Sequence, residues 1–300
     1  MTAAPTNHPW YHPPMRYLLW RGASWLFGAL PLRIGYALAD AAGFATFWLW
    51  PRGRRNTLRN FSRVLPSASP GDRRRIARRS IQNYCRYLVD FLRLPQLSPG
   101  DARRLGSGDA AYHSLDRALE PGRGAIVVCM HLGNWDAGAA TTAARGYAGA
   151  AVGDRFGDRR LDALVFGARE RLSLSVFPVD RSLVGIVRHL RRNGVLALLI
   201  DQPDAAGGVE IPFFGAPTRV PAGPARLALS TGAALGVAAF PRVSRDRPEV
   251  AVFAEFRDSP CHSDNSVHEL TRWLMSAHER FIRRFPDQWY MFRNMWPDAP

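Results

Sequence analysis

Ala125-Ile-Val-Val-Cys-Met130 runs without interruption into His131-Leu-Gly-Asn-Trp-Asp136. An apolar run that ends at a glycine-containing turn reads as a strand buried on both faces, handing over to a helix. The rhythm then repeats. Ala148–Gly153, Leu174–Pro178, Val195–Ile200 and Leu235–Phe240 are further short apolar runs. Helix-like stretches separate them at Trp135–Arg145, Arg160–Leu172, Leu183–Arg192 and Ala222–Thr231. This alternation predicts an α/β fold on a central, mostly parallel sheet flanked by helices. Val250–Phe256 adds a strand. A closing helix starts at the capping-box pair Ser266 and Glu269, with Val267, Leu270, Leu274, Phe281 and Phe285 on one face.

Upstream of the sheet, Met15–Trp50 is the most apolar part of the chain and is dense in tryptophan, tyrosine and phenylalanine. Arg21, Pro31 and Arg33 interrupt it, which predicts two helices joined near Pro31. Ile34–Trp50 is 17 residues long with Asp40 as its one charge, short of the ~20 residues that span a bilayer. Tryptophan and tyrosine favour the headgroup level, so this N-terminal arm is expected to associate with a membrane in the plane of the interface rather than to cross it. An ordinary helical hairpin is the alternative. A cleaved signal peptide fits less well, because apolar residues continue past any small-residue site. The expected organisation is a loose N-terminus over 1–14, an apolar arm with arginine-rich helices over 15–104, and an α/β core over 105–300. Removal of Met15–Trp50 is expected to weaken membrane association more than it disturbs the core.

The chain has 300 residues, 47% apolar and 22% charged, which is globular composition. Its net charge is +15, and all 40 basic residues are arginine. The lack of lysine excludes a Walker A loop, a Schiff base and a pyridoxal anchor. Fourteen arginines against three acids fall within Pro51–Arg104. Such a block suits an anionic partner: acidic lipid headgroups, an acidic carrier protein or nucleic acid. Nucleic acid is not expected, since no recognition motif appears and the main aromatic cluster lies outside the block. Cys85, Cys129 and Cys261 form no CxxC pair, and His189, His262, His268 and His278 show no ligand spacing. Neither a disulfide framework nor a metal site is expected.

The chemistry concentrates where the first strand ends. His131 stands at the carboxyl edge of the expected sheet, where α/β proteins place their ligands. Asp136 lies five residues on, across a turn that can fold back, so its carboxylate can take the imidazole Nδ1–H and leave Nε2 as a general base. Gly133 permits the tight turn and Asn134 is placed to cap the helix. A satisfied structural histidine is the alternative. No G-x-S-x-G elbow is present, so a histidine–carboxylate pair without a protein nucleophile points to a substrate hydroxyl as the group to be deprotonated.

His131 and Asp136 form an H-x4-D pair, and the wider sequence resembles the lipid A lauroyl acyltransferases and the phosphatidylinositol mannoside acyltransferases. The pieces that carry the resemblance are Arg54–Phe61, Gly124–Asp136, Leu198–Gln202, Gly208–Gly215, Pro221–Pro224 and Phe285–Tyr290. The Gly-Asn-Trp-Asp sequence leans to the mannoside group, although Leu132 stands where that group has serine. The resemblance implies transfer of a fatty acyl chain from acyl-CoA or acyl carrier protein to a hydroxyl of a glycolipid or phospholipid. Lipid A acylation is the alternative acceptor chemistry, and a non-catalytic lipid-binding protein the distant one. It also implies an apolar tunnel for the acyl chain and no cofactor beyond the donor. A peripheral or monotopic position on the cytoplasmic face of the membrane, against an anionic surface, belongs to the same expectation. Glu210 matches a glutamate that mannoside-type members pair with the histidine, so Asp136 and Glu210 compete to orient His131. Arg169 falls where the family keeps an arginine near the donor, with Asp154 its candidate partner and Arg181 a further candidate for phosphate. Gly133 and Asn134 complete the expected substrate-binding set.

Overall fold

The computed structural model describes residues 13–179, 183–203, 207–257 and 266–296. Four long helices come first: α1 (Pro13–Ala29), α2 (Leu32–Leu49), α3 (Pro51–Val64) and α4 (Pro70–Arg93). Pro31 and Trp50 separate the first three, and Pro51 opens α3 at its first position, where a missing N–H costs nothing. Ser69 caps α4 by accepting the N–H of Asp72 at 3.0 Å. Then follow α5 (Pro99–Leu105), β1 (Gly106–Ser107), α6 (Asp109–Leu119), β2 (Ala125–Cys129) and α7 (Trp135–Ala144). The alternation continues through β3 (Gly149–Gly153), α8 (Arg159–Arg171), β4 (Leu174–Pro178), α9 (Leu183–Arg191) and β5 (Val195–Leu199). A hairpin of β6 (Val209–Phe213) and β7 (Ala216–Val220) precedes α10 (Gly223–Thr231), β8 (Ala234–Ala239), β9 (Val250–Ala251), β10 (Phe253–Arg257) and α11 (Val267–Arg284).

The central sheet has the order β10-β8-β2-β5-β3-β4 and is parallel except for β10. The expected α/β architecture is therefore observed, and so is the helix break near Pro31. The Ser266–Glu269 capping box is formed at the head of α11.

Alternation along β2 divides the core. Ile126, Val128 and Met130 enter a large cluster with α9, α10 and α11, while Ala125, Val127 and Cys129 face α6 and α7. Phe47 of α2 and Phe61 of α3 belong to the same large cluster as the sheet residues, each 1% exposed. The arm thus contributes to the core it was expected merely to accompany. Deleting Met15–Trp50 would remove core side chains along with the exposed apolar face, so it does not separate packing from membrane association. The opposite face of the arm is open: Leu19, Trp25, Leu38, Phe44, Trp48 and Leu49 are exposed. No helix among the described residues is long and apolar enough to cross a membrane.

The C-terminal segment is stitched to α3 and α4 by side-chain amides and a hydroxyl. Asn60 donates to the carbonyls of Met291 (3.0 Å) and Arg293 (2.7 Å), Asn83 to that of Asp287 (2.8 Å), and Ser80 to that of Trp289 (2.5 Å). The same segment braces the turn after β2, where the N–H of Tyr290 donates to the carbonyl of His131 at 2.8 Å. Two motif pieces from opposite ends of the sequence, Arg54–Phe61 and Phe285–Tyr290, meet where Phe61 packs edge-on against Trp289 with ring centroids 6.2 Å apart.

Candidate active site

Strands β2 and β5 are parallel neighbours with Cys129 opposite Leu199. Two residues beyond this pair the chain presents His131 on one strand and Asp201 on the other. Asp201 is fully buried. Its Oδ1 lies 2.7 Å from His131 Nδ1, and its Oδ2 accepts the backbone N–H of His131 and the indole N–H of Trp289, each at 3.0 Å. Burial works against its charge, but the His131 imidazole and the His131 backbone N–H hold its carboxyl below the usual carboxylate range. An ionised carboxylate only accepts, so Nδ1 carries the proton and Nε2 is left with its lone pair. His131 lines a cleft of about 1060 Å³. Within it the Gln202 amide stands 3.4 Å from Nε2, and the Trp135 indole meets the imidazole edge-on.

Asp136 does not take the position expected of it. Its Oδ1 accepts Nε and Nη2 of Arg169 at 2.9 and 2.8 Å, and its Oδ2 accepts the Tyr87 hydroxyl at 2.8 Å. The physical reason is that Asp136 lies in the first turn of α7, facing α4 and α8, while Nδ1 of His131 is already occupied by Asp201. Burial opposes charge on Arg169, yet Asp136 holds its guanidinium above the ordinary arginine range. The Tyr87 hydroxyl is raised by burial and by the same carboxylate.

Glu210 is exposed on β6, its carboxylate 3.8 Å from Arg219 of β7. The hairpin stands outside the central sheet, and among the described residues no bond joins Glu210 to His131. Arg169 and Asp154 both line the cleft, but the partner of Arg169 is Asp136. Arg181 lies outside the described residues.

Gly133 and Asn134, expected to shape the turn as well as to bind substrate, build that turn. Gly133 has φ +70°, and a Cβ there would stand 2.0 Å from the Phe240 carbonyl oxygen. Asn134 caps α7, accepting the Ala137 N–H at 3.0 Å, and donates to Asp90 at 2.7 Å. Asp90 also accepts the Tyr36 hydroxyl at 2.6 Å and the buried Arg242 guanidinium. The turn is thereby tied through α4 to α2. All four backbone N–H groups from His131 to Asn134 are engaged, with Asp201, Met130, Gln288 and Phe240 respectively. Among the described residues, no cluster of three histidine, cysteine or acidic side chains could hold a metal.

The family model of the bacterial lipid A biosynthesis acyltransferases matches residues 6–297. The chain belongs to that family. Phosphatidylinositol mannoside acyltransferase of Mycobacterium tuberculosis is 31% identical over 245 residues, spanning 79% of this chain and 75% of the relative. The protein of that name from Mycolicibacterium smegmatis is 30% identical over 253 residues, spanning 79% and 78%. The chain is thus an O-acyltransferase. In this acyltransferase the residues that spacing alone did not find are Asp201, Trp289, Gln202 and Tyr87. Asp201 left two signals: it lies in the motif piece Leu198–Gln202, and it follows its apolar run, as His131 follows its own, by the same two-residue offset from the strand end.

Proposed function

We propose that this acyltransferase moves a fatty acyl chain from a thioester to a hydroxyl of a glycolipid at a membrane surface, with His131 as general base and Asp201 as its orienting carboxylate. The observation that carries the reading is the buried Asp201 fixing Nδ1–H while Nε2 opens on the cleft. Nε2 takes the proton of the acceptor hydroxyl as its oxygen attacks the thioester carbonyl carbon. The tetrahedral oxyanion then collapses, the carbon–sulfur bond breaks, and the departing thiolate takes the proton back from Nε2. With the turn's backbone N–H groups engaged, the Gln202 amide, 3.4 Å from Nε2, is a donor available to the oxyanion. Asp136 holds Arg169 at the cleft wall, where a guanidinium suits donor or acceptor phosphate.

The acceptor is a phosphatidylinositol mannoside in this reading, following the named relatives. Acyl-CoA or acyl carrier protein is the donor, and both are cytoplasmic thioesters, which puts the reaction on the cytoplasmic face. The apolar cavity between the sheet and α6–α7, lined by Val127, Ala151, Ala197, Ala238, Tyr112 and Leu115 together with Asp136 and Arg169, is about 90 Å³ and too small as it stands for a whole acyl chain. The exposed apolar face of α1 and α2 lies in the interface.

The test supplies radiolabelled palmitoyl-CoA and phosphatidylinositol mannosides to the purified chain, with His131→Ala as control. Labelled glycolipid that depends on His131 supports the reading. Equal transfer by His131→Ala sinks it.

A further inference from the structure

Arg52 and Arg293 line the cleft that holds His131, both are exposed, and among the described residues no carboxylate pairs with either. They come from distant parts of the sequence and are held at the same end by side chains of α3: Asn56, one turn after Arg52, donates to the carbonyl of Phe292 at 3.1 Å, and Asn60 to that of Arg293 at 2.7 Å. Asn56 and Asn294 line the cleft beside them. Helix α3 carries five arginines and no acid, so nothing on it neutralises this end. Two guanidinium forks and two amides facing one cleft are chemistry for a phosphate ester.

The surroundings identify which phosphate. Trp48, Leu49 and Trp50 are exposed at 48%, 82% and 41% and end the apolar face of α2 immediately before Arg52. Tryptophan marks the headgroup level of a bilayer and arginine there meets lipid phosphate. We propose that Arg52 and Arg293, flanked by Asn56 and Asn294, bind the phosphodiester of the acceptor lipid as it enters from the membrane, so that the headgroup beyond it reaches His131. The proposal rests on the acyl-transfer reading for its acceptor, but the site is defined by binding. A donor nucleotide carries phosphates too, and the experiment separates the sources.

The full chain with His131→Ala is titrated calorimetrically with soluble dioctanoyl phosphatidylinositol and separately with coenzyme A, with and without Arg52→Ala and Arg293→Ala. Loss of two charge-assisted contacts should weaken the lipid by about tenfold or more and leave coenzyme A within about twofold. Arg52→Lys, which keeps charge without the fork, should fall between. Unchanged lipid affinity overturns the proposal, and so does a loss confined to coenzyme A. In the acyl-transfer assay the same pair should raise the acceptor KM and leave the palmitoyl-CoA KM in place. A wild-type chain with no His131-dependent transfer would defeat the acyl-transfer reading, while the calorimetry would still decide the phosphate site.

Discussion

Asp201→Asn replaces one oxygen by an NH2 and changes almost nothing in volume, yet the environment of Asp201 has no room for a donor. The carboxylate receives three N–H groups: His131 Nδ1 at 2.7 Å, the His131 amide at 3.0 Å and Trp289 Nε1 at 3.0 Å. The backbone and indole donors share Oδ2 and cannot change their protonation, so the amide oxygen must serve them. The NH2 then faces Nδ1, which must become an acceptor, and the ring proton moves to Nε2. A base protonated at its working nitrogen cannot deprotonate a hydroxyl. By comparison with histidine–carboxylate pairs in hydrolases, kcat should fall by about 10³ to 10⁴, or roughly 4 to 5.5 kcal/mol of barrier. Asp136→Asn should differ in kind. It still accepts from Arg169 or Tyr87 and leaves the Nδ1 bond intact, so its loss should be smaller and should appear in stability or KM. The assay is steady-state transfer from palmitoyl-CoA by both variants, with circular dichroism as control for folding. Asp201→Asn within about tenfold of wild type, beside a folded but inert Asp136→Asn, would refute the reasoning and return the orienting role to Asp136.

Arg242→Ala leaves Asp90, its side chain 11% exposed, without its cation, and urea denaturation should show a loss of about 3–5 kcal/mol. Gly133→Ala combines φ +70° with a Cβ 2.0 Å from the Phe240 oxygen, so it should lose about 2 kcal/mol or more and displace His131. His278 is fully buried and burial pushes its pKa down to about 4 from the ordinary 6.5. The unfolded chain therefore binds the extra proton first, and stability present above pH ~6.5 is lost as pH falls toward 4, by about 3 kcal/mol in full. His278→Leu should flatten that acid limb in melts from pH 7 to 4, whereas an unchanged limb would assign it to the carboxylates. Serine substitutions at the exposed Trp25 and Leu49 should reduce sedimentation with anionic vesicles and leave the melting temperature within a few degrees.

The sheet was readable because its parallel strands are short, largely apolar runs, those of β2 and β8 buried throughout. Leu174–Pro178 coincides with β4, and the other central strands lie within a residue of the apolar runs except at the β9–β10 edge, where the expected single strand Val250–Phe256 breaks at Val252. The β6–β7 hairpin was not readable as structure. Pro212, Gly215 and Pro217 interrupt both halves, so neither shows an uninterrupted alternation, and Gly208–Gly215 entered the argument only as a motif. The orienting carboxylate was hidden for a different reason. His131 and Asp201 are 70 residues apart, and only the strand order, with β5 inserted between β2 and β3, makes them neighbours. Sequence distance favoured Asp136, and the fold favoured Asp201.

In the proposed mechanism the two carboxylates near His131 divide two incompatible duties. A residue that fixes a base must hold one hydrogen bond rigidly and stay out of solvent, which Asp201 does by spending both oxygens inside the core. A residue that keeps an arginine at a cleft wall must neutralise part of a buried guanidinium and still leave it facing substrate. Asp136 does this from α7, with Tyr87 of α4 on its other oxygen. A single carboxylate serving both His131 and Arg169 would share its charge between them and weaken the hold on each. The five-residue spacing between His131 and Asp136 thus reads as the distance from a base to the anchor of a binding arginine. It predicts that Asp136→Asn and Arg169→Ala are non-additive with each other, since they break one contact, and close to additive with Asp201→Asn. Strong coupling between Asp136 and Asp201 in that double-mutant cycle would show that the two duties are not separate.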